Sequence, residues 1–438
     1  MVDNDLYNLF TEYGIALSNI QHELNILATT YSKLEEDNPI EYINSRIKSA
    51  SSIEGKLNKL KEQTQRQNEV ANPLDYEFTA QNIENHLHDV VGIRIVCPFL
   101  SDAYQVIEKV KKINSIEIVD KKDYIETPKT NGYASYHLKV LVPITIPNTK
   151  KIKKVKAEIQ IRTITMDMIA SLEHEIYYKK DITLSPITQK QLNRMIQFCY
   201  LMEKDLNKIL IQKRTQKIES KIYKPLPKFM KTEKFDNYMT NHQKALEIIE
   251  EKLTKFREQY ITSMNRKPYE HTKSRIKSKH HIIEKLERKK IAVNFQNIDY
   301  FVNDIAGFRI VCPFLDDVKN IIEAFHEDKT MTIIEEQDYM DTPKDNGYTS
   351  YHLLVLVPVI TENGSTNIKV EIQIRTLCQE MWAIFQERLC YKKEPDKSLE
   401  SEFKRLAPIL SVMDYNMNEM IQYYSKQQKD NKRKVLNK

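Results

Sequence analysis

Residues 89 to 180 of this chain recur about 215 positions later, and what the two copies share is mostly polar. The run Asp89-Val90-Val91-Gly92-Ile93-Arg94-Ile95-Val96-Cys97-Pro98-Phe99-Leu100 returns as Asp304-Ile305-Ala306-Gly307-Phe308-Arg309-Ile310-Val311-Cys312-Pro313-Phe314-Leu315. Asp123-Tyr124, Thr127-Pro128-Lys129, Asn131-Gly132-Tyr133 and Ser135-Tyr136-His137 return as Asp338-Tyr339, Thr342-Pro343-Lys344, Asn346-Gly347-Tyr348 and Ser350-Tyr351-His352. Glu158-Ile159-Gln160-Ile161-Arg162-Thr163 returns as Glu371-Ile372-Gln373-Ile374-Arg375-Thr376. Two copies of a fold need only repeat its apolar pattern. Identical Arg, His, Glu, Lys and Tyr point instead to a repeated site.

The duplication sets two domains, each within a length able to bury its own core. We expect domains at 1–212 and 236–425, a basic linker at 213–235 with Pro225 and Pro227, and a disordered basic tail at 426–438. The offset between copies is 229 at Arg46 and Arg275 but 215 at Arg94 and Arg309, so copy 1 carries 14 more residues between them, within about 61 to 88. The start Met-Val-Asp-Asn-Asp lacks the pattern of a signal peptide, and no apolar run approaches a membrane span, so a cytoplasmic protein is expected. Five cysteines without a Cys-x-x-Cys pair argue against a disulfide framework and a zinc site. Cys97 and Cys312 fall within apolar runs and fit as small core residues. A net charge of +6 suits polyanionic small ligands as well as nucleic acid and does not choose between them.

Helical patterns over 1–36 and 236–262 lead into Arg46-Ile47-Lys48-Ser49 and Arg275-Ile276-Lys277-Ser278, and further helical patterns cover about 164–215 and 377–425. Between them, Gly92 to Phe99 and Tyr136 to Pro143 have the β-branched content of strands. Residues 156–162 alternate strictly, setting Ala157, Ile159 and Ile161 against Lys156, Glu158, Gln160 and Arg162. Lys369, Glu371, Gln373 and Arg375 alternate in the same way with Val370, Ile372 and Ile374. Each domain is therefore expected to have a sheet with one core face and one polar face, the floor of a binding cleft.

Three groups carry the chemistry. Asp89 and Glu158, with Asp304 and Glu371 in copy 2, are acids that the strands can bring together. Two readings are open: a carboxylate pair for Mg²⁺ on substrate phosphates, or ion pairs with Arg94 and Arg162. Arg46, Lys48, Ser52, Lys56 and Lys59 form a basic group in which Ser52, Lys56 and Lys59 share a helix face. A solvated face is its simplest reading, but Arg275, Lys277, Lys285 and Arg288 repeat the spacing, which favours phosphate binding. The third group is the loop Lys129 to His137. Four of the seven glycines, at 92, 132, 307 and 347, occupy equivalent repeat positions. Gly132 fits a tight turn of positive φ that presents Tyr133 for stacking, the alternative being a strand-entry turn with Tyr133 packed inward. His86-Leu87-His88-Asp89 is set aside as a metal motif because Asn303 stands opposite His88. No P-loop or Rossmann fingerprint is present in the sequence.

Together these segments, with Pro39 to Lys48 and Ser171-Leu172-Glu173-His174, resemble the RelA/SpoT-type synthetase domain, and most closely two bacterial small alarmone synthetases fused head to tail. The resemblance implies an α/β (α+β) nucleotidyltransferase-like fold, a mixed sheet flanked by helices with long N- and C-terminal helices. It implies transfer of pyrophosphate from ATP to the 3′-hydroxyl of GTP or GDP, giving AMP and (p)ppGpp, with Mg²⁺ as cofactor. On that pattern Asp89, Glu158, Asp304 and Glu371 would be catalytic and hold metal. Arg46, Lys48, Ser52, Lys56, Lys59 and Arg94 would bind ATP, as would Arg275, Lys277, Lys285 and Arg309. Lys122, Lys129, Tyr133, His137 and Gln160 would bind GTP, as would Lys344, Tyr348, His352 and Gln373. The resemblance also implies a homo-oligomer, here a dimer of tandem chains, and an allosteric product site near Glu41-Tyr42-Ile43-Asn44.

The chain departs from the family pattern at Ala134 and Thr349, where the family usually has Arg. Copy 2 also has His281 for Ser52, Gln337 for Lys122, His271 for Tyr42 and Gln386-Glu387 for Glu173-His174. Copy 1 is expected to be the active domain and copy 2 weaker or regulatory. The alternatives are pyrophosphotransfer to another 3′-hydroxyl, on an adenine nucleotide or a tRNA end, and a silent regulator that binds nucleotide or single-stranded RNA.

Overall fold

The strict alternation after residue 154 becomes the central strand of the first sheet. Val155, Ala157, Ile159 and Ile161 are buried on one face while Lys156, Glu158 and Gln160 line the other. The computed structural model describes residues 4–32, 38–66, 76–175, 185–215, 225–264, 266–362, 364–390 and 397–436. The chain divides into two compact units, residues 1–170 with 186–211, and residues 212–438 with 171–185.

In chain order the first copy contains α1 (Asn4–Ser32), β1 (Tyr42–Ile47), α2 (Ala50–Arg66), α3 (Ala80–His86), β2 (Val91–Cys97), α4 (Leu100–Val110), β3 (Glu117–Asp123), β4 (Tyr136–Thr145), β5 (Ile152–Thr163), α5 (Ile164–Glu173) and α6 (Pro186–Thr215). Its sheet runs β1-β2-β5-β4-β3, with β2 and β5 parallel and the other neighbours antiparallel. The second copy repeats this with α7 (Glu233–Met264), β6 (His271–Ile276), α8 (Lys279–Arg288), α9 (Phe295–Phe301), β7 (Ala306–Cys312), α10 (Leu315–Glu327), β8 (Thr332–Asp338), β9 (Tyr351–Thr361), β10 (Gly364–Thr376), α11 (Leu377–Cys390) and α12 (Lys397–Leu436). Its sheet order is β6-β7-β10-β9-β8. The mixed α+β architecture expected for both halves is present.

The apolar face of each sheet is covered by helices with matching stripes. Leu9, Tyr13, Ala16, Ile20 and Leu24 fall on one side of α1 and, with Ala103, Val106, Ile107 and Val110 of α4, join the sheet residues in one cluster. Each such fully buried aliphatic side chain contributes about 1.5–3 kcal/mol. In the second unit Ala245, Leu246, Ile249 and Leu253 of α7 and Val318, Ile321 and Phe325 of α10 do the same. Cys97 and Cys312 are fully buried core residues, as their apolar surroundings require.

Part of the segment expected as a linker behaves differently. Residues 216–224 lie outside the described residues, but Met230, in a 3-10 turn (Lys228–Lys231), and Phe235 are fully buried. They pack with Ile282, Leu286, Ile298 and Ile305 in a second cluster that anchors α8 and α9. The apolar residues at 226, 229, 230 and 235 thus belong to the second unit's core. The closing helix α12 continues to Leu436, through most of the stretch expected as a disordered tail, and residues 437–438 lie outside the described residues. Half of the extra length in copy 1 is helix: α2 has 17 residues against 10 in α8, and residues 67–75 lie outside the described residues. Among the described residues no helix is long and apolar enough to cross a membrane.

Candidate active site

Strand register lays the polar residues of the first unit in rows across one sheet face. One row is Arg46, Gly92, Glu158, Lys139 and Asp120, and the next is Asn44, Arg94, Gln160, His137 and Lys122. Gly92 sits between Arg46 and Glu158, and with no side chain it keeps the floor of the cleft open at that point. A Cβ there would meet nothing nearer than the Arg46 carbonyl at 4.0 Å, so the core does not demand the glycine. In the second unit the rows are Arg275, Gly307, Glu371, Leu354 and Glu335, then Lys273, Arg309, Gln373, His352 and Gln337.

Asp89 stands just before β2 and faces α2. Both Lys48 and Lys56 place their ammonium groups 2.5 Å from Asp89 Oδ2. Burial pushes the Asp89 carboxyl up, and the two ammonium groups outweigh it, so the carboxyl is held below its ordinary range. Its other oxygen, Oδ1, is buried and has no hydrogen-bond partner. An orphaned carboxylate oxygen fits a cation ligand better than a completed ion pair. The ion pairs expected with Arg94 and Arg162 do not form at Asp89. Among the described residues no three His, Cys, Asp or Glu converge in a metal cage, so the acids available are the pair Asp89 and Glu158. The Asp89 charge is felt at Glu158.

Glu158 belongs to a closed ring of hydrogen bonds. Gln160 Nε2 donates to its Oε2 at 2.8 Å, and Arg162 Nη2 donates to Gln160 Oε1 and to Tyr133 Oη, both at 2.7 Å. His137 Nε2 lies 2.9 Å from Tyr133 Oη, and His137 Nδ1 lies 3.0 Å from Glu158 Oε1. A carboxylate only accepts, so His137 Nδ1 carries a hydrogen and donates it to Glu158, while Arg162 donates to the Tyr133 hydroxyl oxygen. Burial raises the Glu158 carboxyl, but His137 and Gln160 outweigh it and the group stays a carboxylate, below its usual pKa.

The loop before β4 holds Tyr133 in place. Gly132 has φ +87° and donates its N–H to Lys129 O at 2.8 Å, and Asn131 Oδ1 accepts from Tyr133 N at 3.2 Å. The expected positive-φ turn is present, and Gly347 repeats it at φ +91°. Lys129 Nζ lies 4.8 Å from the ring centroids of both Tyr124 and Tyr133. Tyr133 is half-buried, so neither open alternative is complete: it is not packed inward, and its hydroxyl is already bound.

Other expected residues are more dispersed. Ser52 hydrogen bonds to Ser49 at 2.9 Å, and Lys59 is exposed one turn beyond Lys56. Arg46 and Lys122 are exposed at opposite ends of their rows. Arg94 is the expected residue whose partner was missed: its Nη1 lies 3.0 Å from Asp167 Oδ1. Arg162, expected on the polar face, is there but buried at 4 % exposure, also against Asp167. The repeat contained the signal, since Asp167 and Glu380 are acids at equivalent positions in the first turns of equivalent helices.

The second unit keeps the residues but not the closure. Lys277 and Lys285 pair with different oxygens of Asp304, at 2.8 and 2.6 Å, so neither oxygen is left over. The Asp304 carboxyl is lowered to about 2, its two lysines outweighing burial. His281, at the Ser52 position, caps α8 with Ser278. Gln373, Arg375, Tyr348 and His352 repeat the chain of contacts, but His352 Nδ1 is 3.8 Å from Glu371 Oε1. Burial and the charges of Arg375, Lys344 and Arg309 push the His352 imidazole down to about 3, so it is neutral and this gap is neither hydrogen bond nor ion pair.

Fold and site define a tandem α+β protein with one polar, cation-rich sheet face per domain. The model described as "Region found in RelA / SpoT proteins" matches residues 45–183 and 274–396, and the chain belongs to the RelA/SpoT family. It is 41% identical over 178 residues to the GTP pyrophosphokinase YwaC of Bacillus subtilis, covering 41% of this chain and 77% of that protein. It is 34% identical over 194 residues to YjbM, another GTP pyrophosphokinase of that organism, covering 44% of this chain and 90% of the relative. Among solved structures, the small alarmone synthetase 1 from B. subtilis bound to its product pppGpp is 32% identical, with 43% of this chain and 97% of that chain covered at a TM-score of 0.41.

Proposed function

We propose that the chain is a (p)ppGpp synthetase that transfers pyrophosphate from ATP to the 3′-hydroxyl of GTP or GDP, with the first domain as the main active unit. The closed ring around Glu158, set beside Asp89 with its orphaned oxygen, carries this reading. Asp89 and Glu158, and Asp304 and Glu371 in the second domain, would hold Mg²⁺. When bound, the ion neutralises charge on the phosphates being transferred.

The chain's own residues do the rest by placement. Lys48 and Lys56 neutralise Asp89 without nucleotide and turn to the phosphates when ATP arrives, with Ser52 and Lys59 further along α2. Arg46 and Arg94 flank the adenine. Tyr133 carries the guanine, with Lys122, Lys129 and His137 toward the acceptor's phosphates and Gln160 bracing Glu158. The 3′-oxygen bonds to the β-phosphorus of ATP as the bond from that phosphorus to the α-phosphate's bridging oxygen breaks, releasing AMP. The hydroxyl proton passes to Glu158. Two hydrogen bonds keep Glu158 a weak base, so alignment supplies more of the rate than base strength.

The opened ring and the doubly paired Asp304 favour a weaker or regulatory second domain. Nucleotides separated after incubation with ATP, Mg²⁺ and GTP, GDP, GMP, adenine nucleotides or tRNA test both statements. AMP is expected only with a guanine nucleotide, Glu158→Gln lowering its formation by about 100-fold or more and Glu371→Gln by about twofold or less. Full activity in the Glu158 variant overturns the assignment of the first domain, and AMP formed with another acceptor overturns the substrate.

A further inference from the structure

Asp167, in the first turn of α5, gathers three strands onto one buried carboxylate. Its Oδ1 accepts from Arg94 Nη1 at 3.0 Å and from Arg162 Nη1 at 3.2 Å, and its Oδ2 accepts from the Tyr42 hydroxyl at 2.5 Å. The side chain is 2 % exposed. These partners lie on β2, β5 and β1, at the helix N-terminus that follows β5 directly, where a negative charge is also favoured by the helix dipole.

The two guanidinium groups lead to different parts of the cleft. Arg94 lies between Asn44 and Gln160 in its row, on the side proposed to hold adenine. Arg162 leads to Tyr133 and, through Gln160, to Glu158, the side proposed to hold the acceptor. Arg162 is buried and Arg94 partly so, and a single carboxylate is a counter-charge to both. The position of Arg94 therefore cannot change without changing the demand of Arg162 on the same oxygen.

The second domain reaches the same end with different residues. Glu380 holds Arg309 Nη1 at 2.7 Å through Oε1 and Arg375 Nη1 at 2.9 Å through Oε2. His271 stands where Tyr42 does, and the longer acid gives each arginine its own oxygen. The pair has changed together, Asp with Tyr to Glu with His, while the link between the two arginines was kept.

We propose that Asp167 is a positioning residue that couples the two nucleotide subsites of the first domain: adenine fixing Arg94 orders Arg162 and Tyr133 for the acceptor, and the reverse. This rests on the pyrophosphotransferase reading above, and linkage requires the effect to be reciprocal. Initial rates of AMP formation over a grid of ATP and GDP concentrations, in full-length protein carrying Glu371→Gln, measure the coupling. Each nucleotide is expected to lower the apparent KM of the other by about 5-fold or more. Asp167→Asn should reduce that factor to under about twofold and raise both KM values, and Tyr42→His with Asp167→Glu should restore the coupling lost in Asp167→Glu alone. A variant that lowers only kcat or thermal stability, with coupling unchanged, overturns the proposal. If Asp167→Asn does not fold, Tyr42→Phe, which removes one partner of the same carboxylate, decides by the same two readings. No product from the Glu371→Gln parent with any acceptor refutes the functional reading instead, and coupling is then read from GDP binding with and without a non-hydrolysable ATP analogue.

Discussion

At the scale of single residues, each domain encloses a carboxyl that the cleft does not use. Glu203 of α6 is fully enclosed and accepts from Thr163 Oγ1 at 3.0 Å, and Asp414 of α12 accepts from Thr376 Oγ1 at 2.6 Å. Burial pushes both up to about 7, against the pull of their hydroxyl and thiol partners. A raised carboxyl binds its proton in the folded chain at a pH where the unfolded chain has released it. Stability should therefore fall as pH rises from the unfolded values, near 4, through about 7. Each group contributes on the order of 3–4 kcal/mol to that change. Glu203→Gln and Asp414→Asn should flatten the change in Tm between pH 5 and 8, and an unchanged slope in both variants would count against buried, protonated acids here. The Asp89 arrangement gives a second prediction. Lys56→Gln removes one of two ammonium groups on Oδ2, so Mn²⁺ alone should bind the nucleotide-free protein more tightly, by about 5-fold or more in paramagnetic titration. Equal Mn²⁺ affinity in parent and variant would show that the lysine does not shield the acid. The polar face was legible at this scale because the alternation of β5 dictates it. The burial of Arg162 was not, because it depends on Asp167 in the next helix, and no strand pattern specifies a partner from another element.

At the scale of elements, the turn at Gly132 shows what local sequence can and cannot specify. A positive φ was legible from Asn-Gly-Tyr and its recurrence. The second constraint on that glycine was not: a Cβ at Gly132 would lie 2.9 Å from Ile196 Cγ2 of α6, and one at Gly347 would lie 2.6 Å from Ala407 Cβ of α12. Tyr200 on α6 also donates its hydroxyl to Gly132 O at 2.8 Å. The long C-terminal helix of each domain thus backs the turn that presents Tyr133 or Tyr348, a contact about 60 residues away in sequence that periodicity cannot reveal. Gly132→Ala meets both backbone strain and a clash, and about 2–3 kcal/mol of destabilisation is expected. In urea melts the loss should be accompanied by a raised KM for the acceptor, whereas a loss of stability with unaltered KM would mean that the turn does not place Tyr133. The segment expected as a linker shows the same limit. Its Lys and Pro content reads as a connector, while Met230 and Phe235 cluster with residues of α8 and α9, well downstream in the chain.

At the scale of the whole molecule, the two polar sheet faces differ along β3–β4 and β8–β9, the side proposed to take the acceptor. Lys122 and Lys139 of the first domain become Gln337 and Leu354, and Asp120 becomes Glu335. Lys139 pairs with Asp120 at 2.9 Å, so the first domain keeps Lys122 as an uncommitted positive charge along this edge, while the second presents Glu335 with no lysine in either row beyond β10. Exchanging cations for neutral residues beside an acid weakens the field that draws in polyphosphates. Duplication was evident from the sequence, and so was divergence at Lys122. The role of Lys139 emerges only when β3 and β4 are set in register, because a bulge in β3 between Ile118 and Asp120 decides which side chains share a face. The contrast can be reversed. In full-length protein carrying Glu158→Gln, adding Gln337→Lys and Leu354→Lys should lower the second domain's Kd for GTP by about 10-fold while changing that for GMP by less than about threefold, because the added charges act on the distal phosphates. Raising salt from 50 to 300 mM should erase most of the gain, as screening of charges at the sheet's edge requires. Equal improvement for GMP and GTP, or a gain insensitive to salt, would place the difference between the domains elsewhere, at the paired oxygens of Asp304 and the opened contact between His352 and Glu371.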